Sequence, residues 1–227
     1  MATIILVRHG ENDWVKKKRL AGWIAGVHLN ENGRQQAIDV AQRLSHLPIN
    51  AVYSSPVERC VETAAQIAQA LNLPLKQLEA VGEVRYGEWE GEEIEKLAKE
   101  KAWYIVQHYP SRHQFPQGET LREVQFRAVQ ALEQLSRQHD KEVIVVVSHA
   151  DLIKLILAHY LGVHIDLFQR IVIAPASLSV LALPGDGRVH ILRVNDNGPL
   201  TMPAPAEAAE ETAESETAPS ADEKISS

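Results

Sequence analysis

The chain has 227 residues, 45% of them hydrophobic, a formal net charge of −7 and a single cysteine, Cys60. That length allows a substantial core, while one cysteine excludes an intramolecular disulfide and no apolar run approaches the ~20 residues of a membrane span. From Pro203 onward seven acids and one lysine carry −6 of the charge, leaving the first 202 residues near neutral, and nothing in the balance argues for nucleic acid binding.

In chain order, Thr3–Val7 (TIILV) reads as a short buried strand, entered so early that no signal peptide is expected. "NENGRQQAIDVAQRLSHL" follows with Ala37, Val40, Ala41 and Leu44 on one helical stripe. "AVYSS" at 51–55 is a second strand, and "SPVERCVETAAQIAQALNL" a helix with Ser55 expected as N-cap and Pro56 at its first position. A further helix places Leu121, Val124, Ala128 and Leu132 on one face. "EVIVVV" at 142–147 is apolar on consecutive positions, as in a strand covered on both faces, and "ADLIKLILAHYL" is the helix after it.

The last stretch reads as three strands, "RIVIAP", "SLSVLALP" and "RVHILRV", with a tight turn at "GDG" between the last two. Strands alternating with helices and ending in a hairpin predict an α/β domain: a three-layer sandwich with a mixed, mostly parallel sheet and helices on both faces. Residues 1–200 form this domain. Residues 201–227, rich in Ala, Glu, Ser, Thr and Pro, cannot offset their ordering entropy by burial and read as an acidic disordered tail.

Three of the strands empty into polar residues: Arg8-His9 after the first, Ser54-Ser55 and then Arg59 after the second, Ser148-His149 after "EVIVVV". Ligands of open α/β sheets bind beyond the carboxyl ends of the strands, so parallel neighbours would bring Arg8, His9, Arg59 and His149 together. Two guanidinium groups and two imidazoles describe a pocket for a tetrahedral dianion. Guanidinium matches phosphate oxygens with paired hydrogen bonds, and a neutral imidazole can attack phosphorus as a nucleophile. The small residues Gly10 and Ala150 after each histidine are expected to leave backbone N–H groups open to the ligand. The basic run "KKKR" at 16–19 is read either as a steering patch for anions or as an exposed loop.

The blocks "VRHGEN.W", "LAGW......LNENGRQQA", "VYSSPVERCVETA", "GEVRYGEWEG", "GETLREV" and "VVVSHAD", in that order, resemble the histidine phosphatase superfamily in its phosphoglycerate mutase-like branch, over about residues 3–195. The resemblance implies that His9 is the phosphohistidine nucleophile, and that Arg8, Arg59 and His149 grip the transferring phosphoryl group. It makes Glu83 the general acid and then base, puts Asn12, Gly22, Tyr86 and Ala150 at the substrate, and calls for no metal or other cofactor. Val15 and Ala21 depart from the polar residues usual in the mutase group. The implied activity is hydrolysis of small phosphate esters. A phosphoglycerate mutase-type phosphomutase is the alternative, and a catalytically inactive phosphate- or protein-binding module a third reading. The expected setting is cytoplasmic, as a monomer or homodimer, with a small-molecule phosphate ester as partner and neither nucleic acid nor membrane.

Overall fold

Ile4 and Leu6 are buried among one set of helices, whereas Ile5 and Val7 are buried among another, so the first strand is covered on both sides. The computed structural model describes residues 1–184 and 188–198. In it the chain runs β1 (Ala2–Arg8), α1 (Asp13–Lys16), α2 (Glu31–Leu44), β2 (Ile49–Ser54), α3 (Glu58–Leu71), β3 (Leu75–Gln77), α4 (Ile94–Leu97), α5 (Lys101–His108), α6 (Leu121–Gln138), β4 (Val143–Ser148), α7 (Ala150–Tyr160), β5 (Leu178–Leu183) and β6 (His190–Asp196). The strands form one sheet in the order β3-β2-β4-β1-β5-β6, with the first four parallel, β5 antiparallel to β1 and β6 antiparallel to β5. The expected mixed α/β sandwich is therefore observed. The tight turn expected at 185–187 and the tail expected from 201 lie outside the described residues.

Period-two alternation divides the core. Ile5, Val7, Val52, Val145 and Val147 pack with Val40, Ala41 and Leu44 of α2 and with Ala64 and Ile67 of α3. Ile4, Leu6, Tyr53, Ile144 and Val146 pack with Val124, Ala128 and Leu132 of α6 and with Leu152, Leu155 and Ile156 of α7. Local chemistry fixes where the long helices start. Asn30 accepts from the N–H of Gly33 at 2.8 Å to begin α2, and Thr120 with Glu123 forms a reciprocal capping box at α6.

Two expectations fail, each for a visible reason. Ser55 does not cap α3 and Pro56 is not its first residue, because the helix begins at Glu58 with Val57 in the cap position and no side-chain cap bond. The N–H of Ser55 instead extends the sheet by donating to Val147 O at 2.9 Å, and its hydroxyl meets His149. "RIVIAP" is not a strand. Ile173 O accepts from Arg8 Nη1 at 2.7 Å, Ala174 N donates to Asn195 Oδ1, and Pro175 has no N–H, so the segment has little left for a ladder.

Register does most to position the site. Arg8 pairs with Ser148 across the parallel β1–β4 ladder, so His9 and His149 leave the sheet side by side. His9 N–H donates to Ser148 O at 3.0 Å, which carries the ladder one step past the strand end.

Candidate active site

The carboxyl ends of β1, β2 and β4 open into a cleft of about 260 Å³ walled by Arg8, His9, Arg59 and Glu83, among others. The two imidazole rings stand edge to face with centroids 5.3 Å apart. Between them runs Arg59, from the first turn of α3. Its Nε donates to His9 Nε2 at 3.2 Å, and its Nη2 donates to Gly22 O at 2.9 Å and to His149 Nδ1 at 3.1 Å. The sheet-end residues and the helix residue thus converge as expected.

Hydrogen bonds fix the histidine tautomers. The carbonyl of Gly10 can only accept, so its 2.7 Å contact with His9 Nδ1 puts the proton there and leaves a lone pair on Nε2. Burial, reinforced by Arg59 and Arg8, holds His9 well below the usual histidine range, which keeps that lone pair available. His149 accepts at Nδ1 from Arg59, so its Nε2 donates to Ser55 Oγ at 2.8 Å. Burial and the neighbouring cations keep it neutral as well.

Glu83 lies with Oε2 3.4 Å from His149 Nδ1 and 3.7 Å from Arg59 Nη2, and its Oε1 accepts from Val84 N at 3.0 Å. Burial pushes its carboxyl up to about 7, with Asp151 adding to the rise and Arg59 opposing it. Its contact with the neutral His149 is therefore no ion pair. Two side-chain donors remain open at this point. Arg8 Nε and Arg59 Nη1 are buried and have no hydrogen-bond partner among the described residues. Unpaired buried N–H groups are rare, and here both belong to cations on the wall of one cleft.

The remaining expected residues are also at the cleft. Asn12 is buried, caps α1 by accepting from Val15 N at 3.0 Å, and keeps its amide donors. Gly22 has φ +50, a left-handed conformation that favours glycine, and it offers its carbonyl to Arg59. Tyr86 donates to Asp151 Oδ2 at 2.9 Å. Ala150, the first residue of α7, has one of the N–H groups that a helix start leaves without an intrahelical partner. Lys18 and Arg19 of the basic run line the cleft too, although Arg19 is tied to Gly91 O through Nε and Nη2.

Gly10 differs from expectation. Its N–H is taken by Thr63 Oγ1 at 3.1 Å and is not open to a ligand. The small residue is needed for another reason: a Cβ here would lie 2.4 Å from Gly33 O. Cys60 is packed inside, with Sγ 3.4 Å from His149 Nε2, and burial pushes its thiol up to about 12.

Several site residues escape a reading of the sequence. Ser55 anchors His149 through a hydroxyl that looks like a helix cap. Arg127, on α6, donates to the carbonyls of Ala80, Gly82 and Glu83 at 2.8, 3.0 and 2.9 Å, while Glu119 grips its other edge. Trp23 Nε1 adds a second donor to Glu83 O at 2.8 Å. Asp151 and Lys154, joined at 3.1 Å, occupy the first turns of α7 beside Tyr86. Only the polar break that Arg127 makes between Val124 and Ala128 could have drawn attention to it.

A family model described as the histidine phosphatase superfamily (branch 1) matches residues 4–197. Phosphoserine phosphatase 1 of Hydrogenobacter thermophilus is 33% identical over 199 residues, covering 86% of this chain and 92% of its own. A metal-independent phosphoserine phosphatase of Arabidopsis thaliana is 31% identical over 159 residues, 67% of this chain and 66% of that protein. Among solved structures, Bacillus stearothermophilus YhfR superposes with a TM-score of 0.81 at 27% identity, covering 86% of this chain and 98% of its own. The chain belongs to the histidine phosphatase superfamily.

Proposed function

We propose that the protein is a phosphomonoesterase that hydrolyses small phosphate esters through a covalent phosphohistidine on His9, with no metal. One observation carries this reading. The buried, unpartnered donors of Arg8 and Arg59 belong to the walls of the same cleft as His9 Nε2, an unprotonated nitrogen whose lone pair accepts from Arg59 Nε. Fixed cations of this kind supply the charge stabilisation that a metal would otherwise bring to a phosphoryl group.

In the first half-reaction His9 Nε2 forms a bond to phosphorus while the bond from phosphorus to the ester oxygen breaks. The electron pair leaves on that oxygen, which takes the proton of Glu83 and departs as the alcohol. Binding phosphate draws Arg59 Nε away from Nε2 and so frees the nucleophile. In the second half-reaction Glu83, now a carboxylate, accepts a proton from water as the oxygen attacks phosphorus. The nitrogen–phosphorus bond breaks and inorganic phosphate leaves.

Hydrolysis is favoured over transfer to a second hydroxyl because Val15 and Ala21 present apolar surface to the cleft. The relatives named phosphoserine phosphatases put O-phosphoserine on the first substrate panel. A cytoplasmic setting, as monomer or homodimer, belongs to the same reading. No helix of the described residues is long and apolar enough to cross a membrane.

The test is release of inorganic phosphate with all metals chelated, together with trapping of an acid-labile, base-stable phosphoprotein. His9→Ala should abolish the trapped species and nearly all turnover. A strict metal requirement, or undiminished trapping on His9→Ala, would overturn the proposal.

A further inference from the structure

Beside the phosphate cleft lies a second hollow of about 230 Å³. Leu20, Tyr86, Ile94 and Asp151 wall both spaces, so the hollow adjoins the phosphate cleft along these residues. Five of its lining residues are aromatic. Trp89, Phe115 and Phe168 are buried, Trp103 stacks on Trp89 at 6.0 Å, and Tyr86 meets Phe115 edge-on at 5.0 Å. Val106 and Leu121 complete the apolar surface.

The two charged residues lining this hollow are paired with each other. Lys154, its one cation among the lining residues, donates to Asp151 Oδ1 at 3.1 Å and to Gln169 Oε1 at 3.0 Å. Asp151 stands where the two spaces join, and its other oxygen accepts from Tyr86. A leaving group bearing a carboxylate would have to compete with Asp151 for Lys154, the cation of this hollow. A small polar alcohol would leave the aromatic walls unfilled. An apolar cavity of about 150 Å³ takes up benzene, so this one has room for a six-membered ring with substituents.

We propose that the preferred substrate is the phosphate monoester of a neutral, largely apolar, ring-sized alcohol, whose body seats between Tyr86, Trp89, Trp103, Phe115 and Phe168. The proposal rests on the phosphomonoesterase reading, because it places the ester oxygen between His9 and Glu83.

The experiment compares kcat/KM for 2-phenylethyl phosphate and ethyl phosphate, two alkyl esters whose leaving alcohols are of similar basicity, with O-phosphoserine and 3-phosphoglycerate alongside. Wild type should favour the phenylethyl ester over ethyl phosphate by about 10–100-fold, and over both anionic esters. Gln107→Trp, at a half-buried lining residue of the hollow, should collapse the phenylethyl-to-ethyl ratio toward one. Asp151→Asn should raise the 3-phosphoglycerate-to-ethyl ratio by about tenfold. The inference is overturned if wild type turns over the two alkyl esters within about twofold of each other, or prefers an anionic ester, or if Gln107→Trp keeps the ratio.

Absence of turnover with every ester would sink the phosphatase reading instead. Calorimetric binding to His9→Ala then still decides the question, since tighter binding of the phenylethyl ester supports the hollow and equal binding refutes it.

Discussion

Arg127 Nη2 donates to the backbone carbonyl of Glu83 at 2.9 Å, so a side chain on α6 holds the segment that carries the acid. With its bonds to Ala80 O and Gly82 O and its two-point grip on Glu119, Arg127 acts as a clamp behind the cleft. Lysine cannot span these acceptors with a single ammonium. Arg127→Lys should lower phosphoryl transfer from an alkyl ester by about 10–100-fold, the scale of an ångström-sized misplacement, with little change in KM. If Arg127 works through Glu83, the loss should disappear on a Glu83→Gln background. A full, additive loss there would make Arg127 a stabilising residue only.

The carboxyl of Glu83, pushed up to about 7, makes the two half-reactions respond to pH in opposite directions. Transfer to His9 needs the protonated acid, so its burst rate should fall as pH rises through about 7. Release of phosphate from His9 needs the carboxylate and should speed up over the same interval. On the acid side the burst should persist well below 6.5, because burial and the arginines keep His9 neutral. The fold prefers the protonated carboxyl, so its contribution to stability is full below the ordinary carboxylate range and is lost as pH rises through about 7. The Tm of wild type relative to Glu83→Gln should therefore decline across that interval. Rapid-quench kinetics and thermal melts between about pH 5 and 9 test both statements.

Gly10 and Gly33 are packed backbone against backbone. A Cβ on Gly10 would lie 2.4 Å from Gly33 O, and one on Gly33 would lie 2.0 Å from Glu11 O. Neither obstacle is a flexible side chain, so Gly10→Ala or Gly33→Ala should destabilise the fold by about 1–3 kcal/mol. In Gly10→Ala the shift also moves the carbonyl that sets the His9 tautomer, so transfer should weaken even where the protein remains folded. Urea midpoints equal to wild type would show that the loop yields more easily than its packing implies.

Much of this arrangement is legible before any coordinates. Apolar runs such as 142–147 mark strands buried on both faces, and histidines at their ends follow from the chemistry of α/β sheets. Other features are contacts between distant segments and leave no periodic trace. Ser55 carries the chemistry of a helix cap, yet the parallel register hands its hydroxyl to His149. Residues 170–175 have the apolar content of a strand, yet Arg8 takes the carbonyl of Ile173 and Asn195 takes the N–H of Ala174. Gly10 is expected to offer an open N–H, which Thr63 takes; its smallness answers the approach of Gly33, which sequence separation conceals. Arg127 and Trp23 reach Glu83 from remote parts of the chain, and nothing in a single sequence joins them to it.

The identity of the proton donor is open to a direct test. Gln is close in size to Glu, so Glu83→Gln should preserve the packing against Arg59 and His149 while removing the catalytic proton. An alkyl phosphate must expel a strongly basic alkoxide, and without a donor the burst rate should fall by about 10²–10⁴-fold. An aryl phosphate with an acidic phenol expels a stable phenolate and should lose much less. Its burst should survive even when later turnover is slow, because hydrolysis of phosphohistidine still lacks its base. The contrast belongs to the first chemical step, so the burst and not steady-state kcat must be compared. Equal losses in the burst for the two esters would mean that Glu83 shapes the cleft without giving a proton. Asp151, which already accepts from Tyr86 and Lys154, would be the next carboxyl to examine.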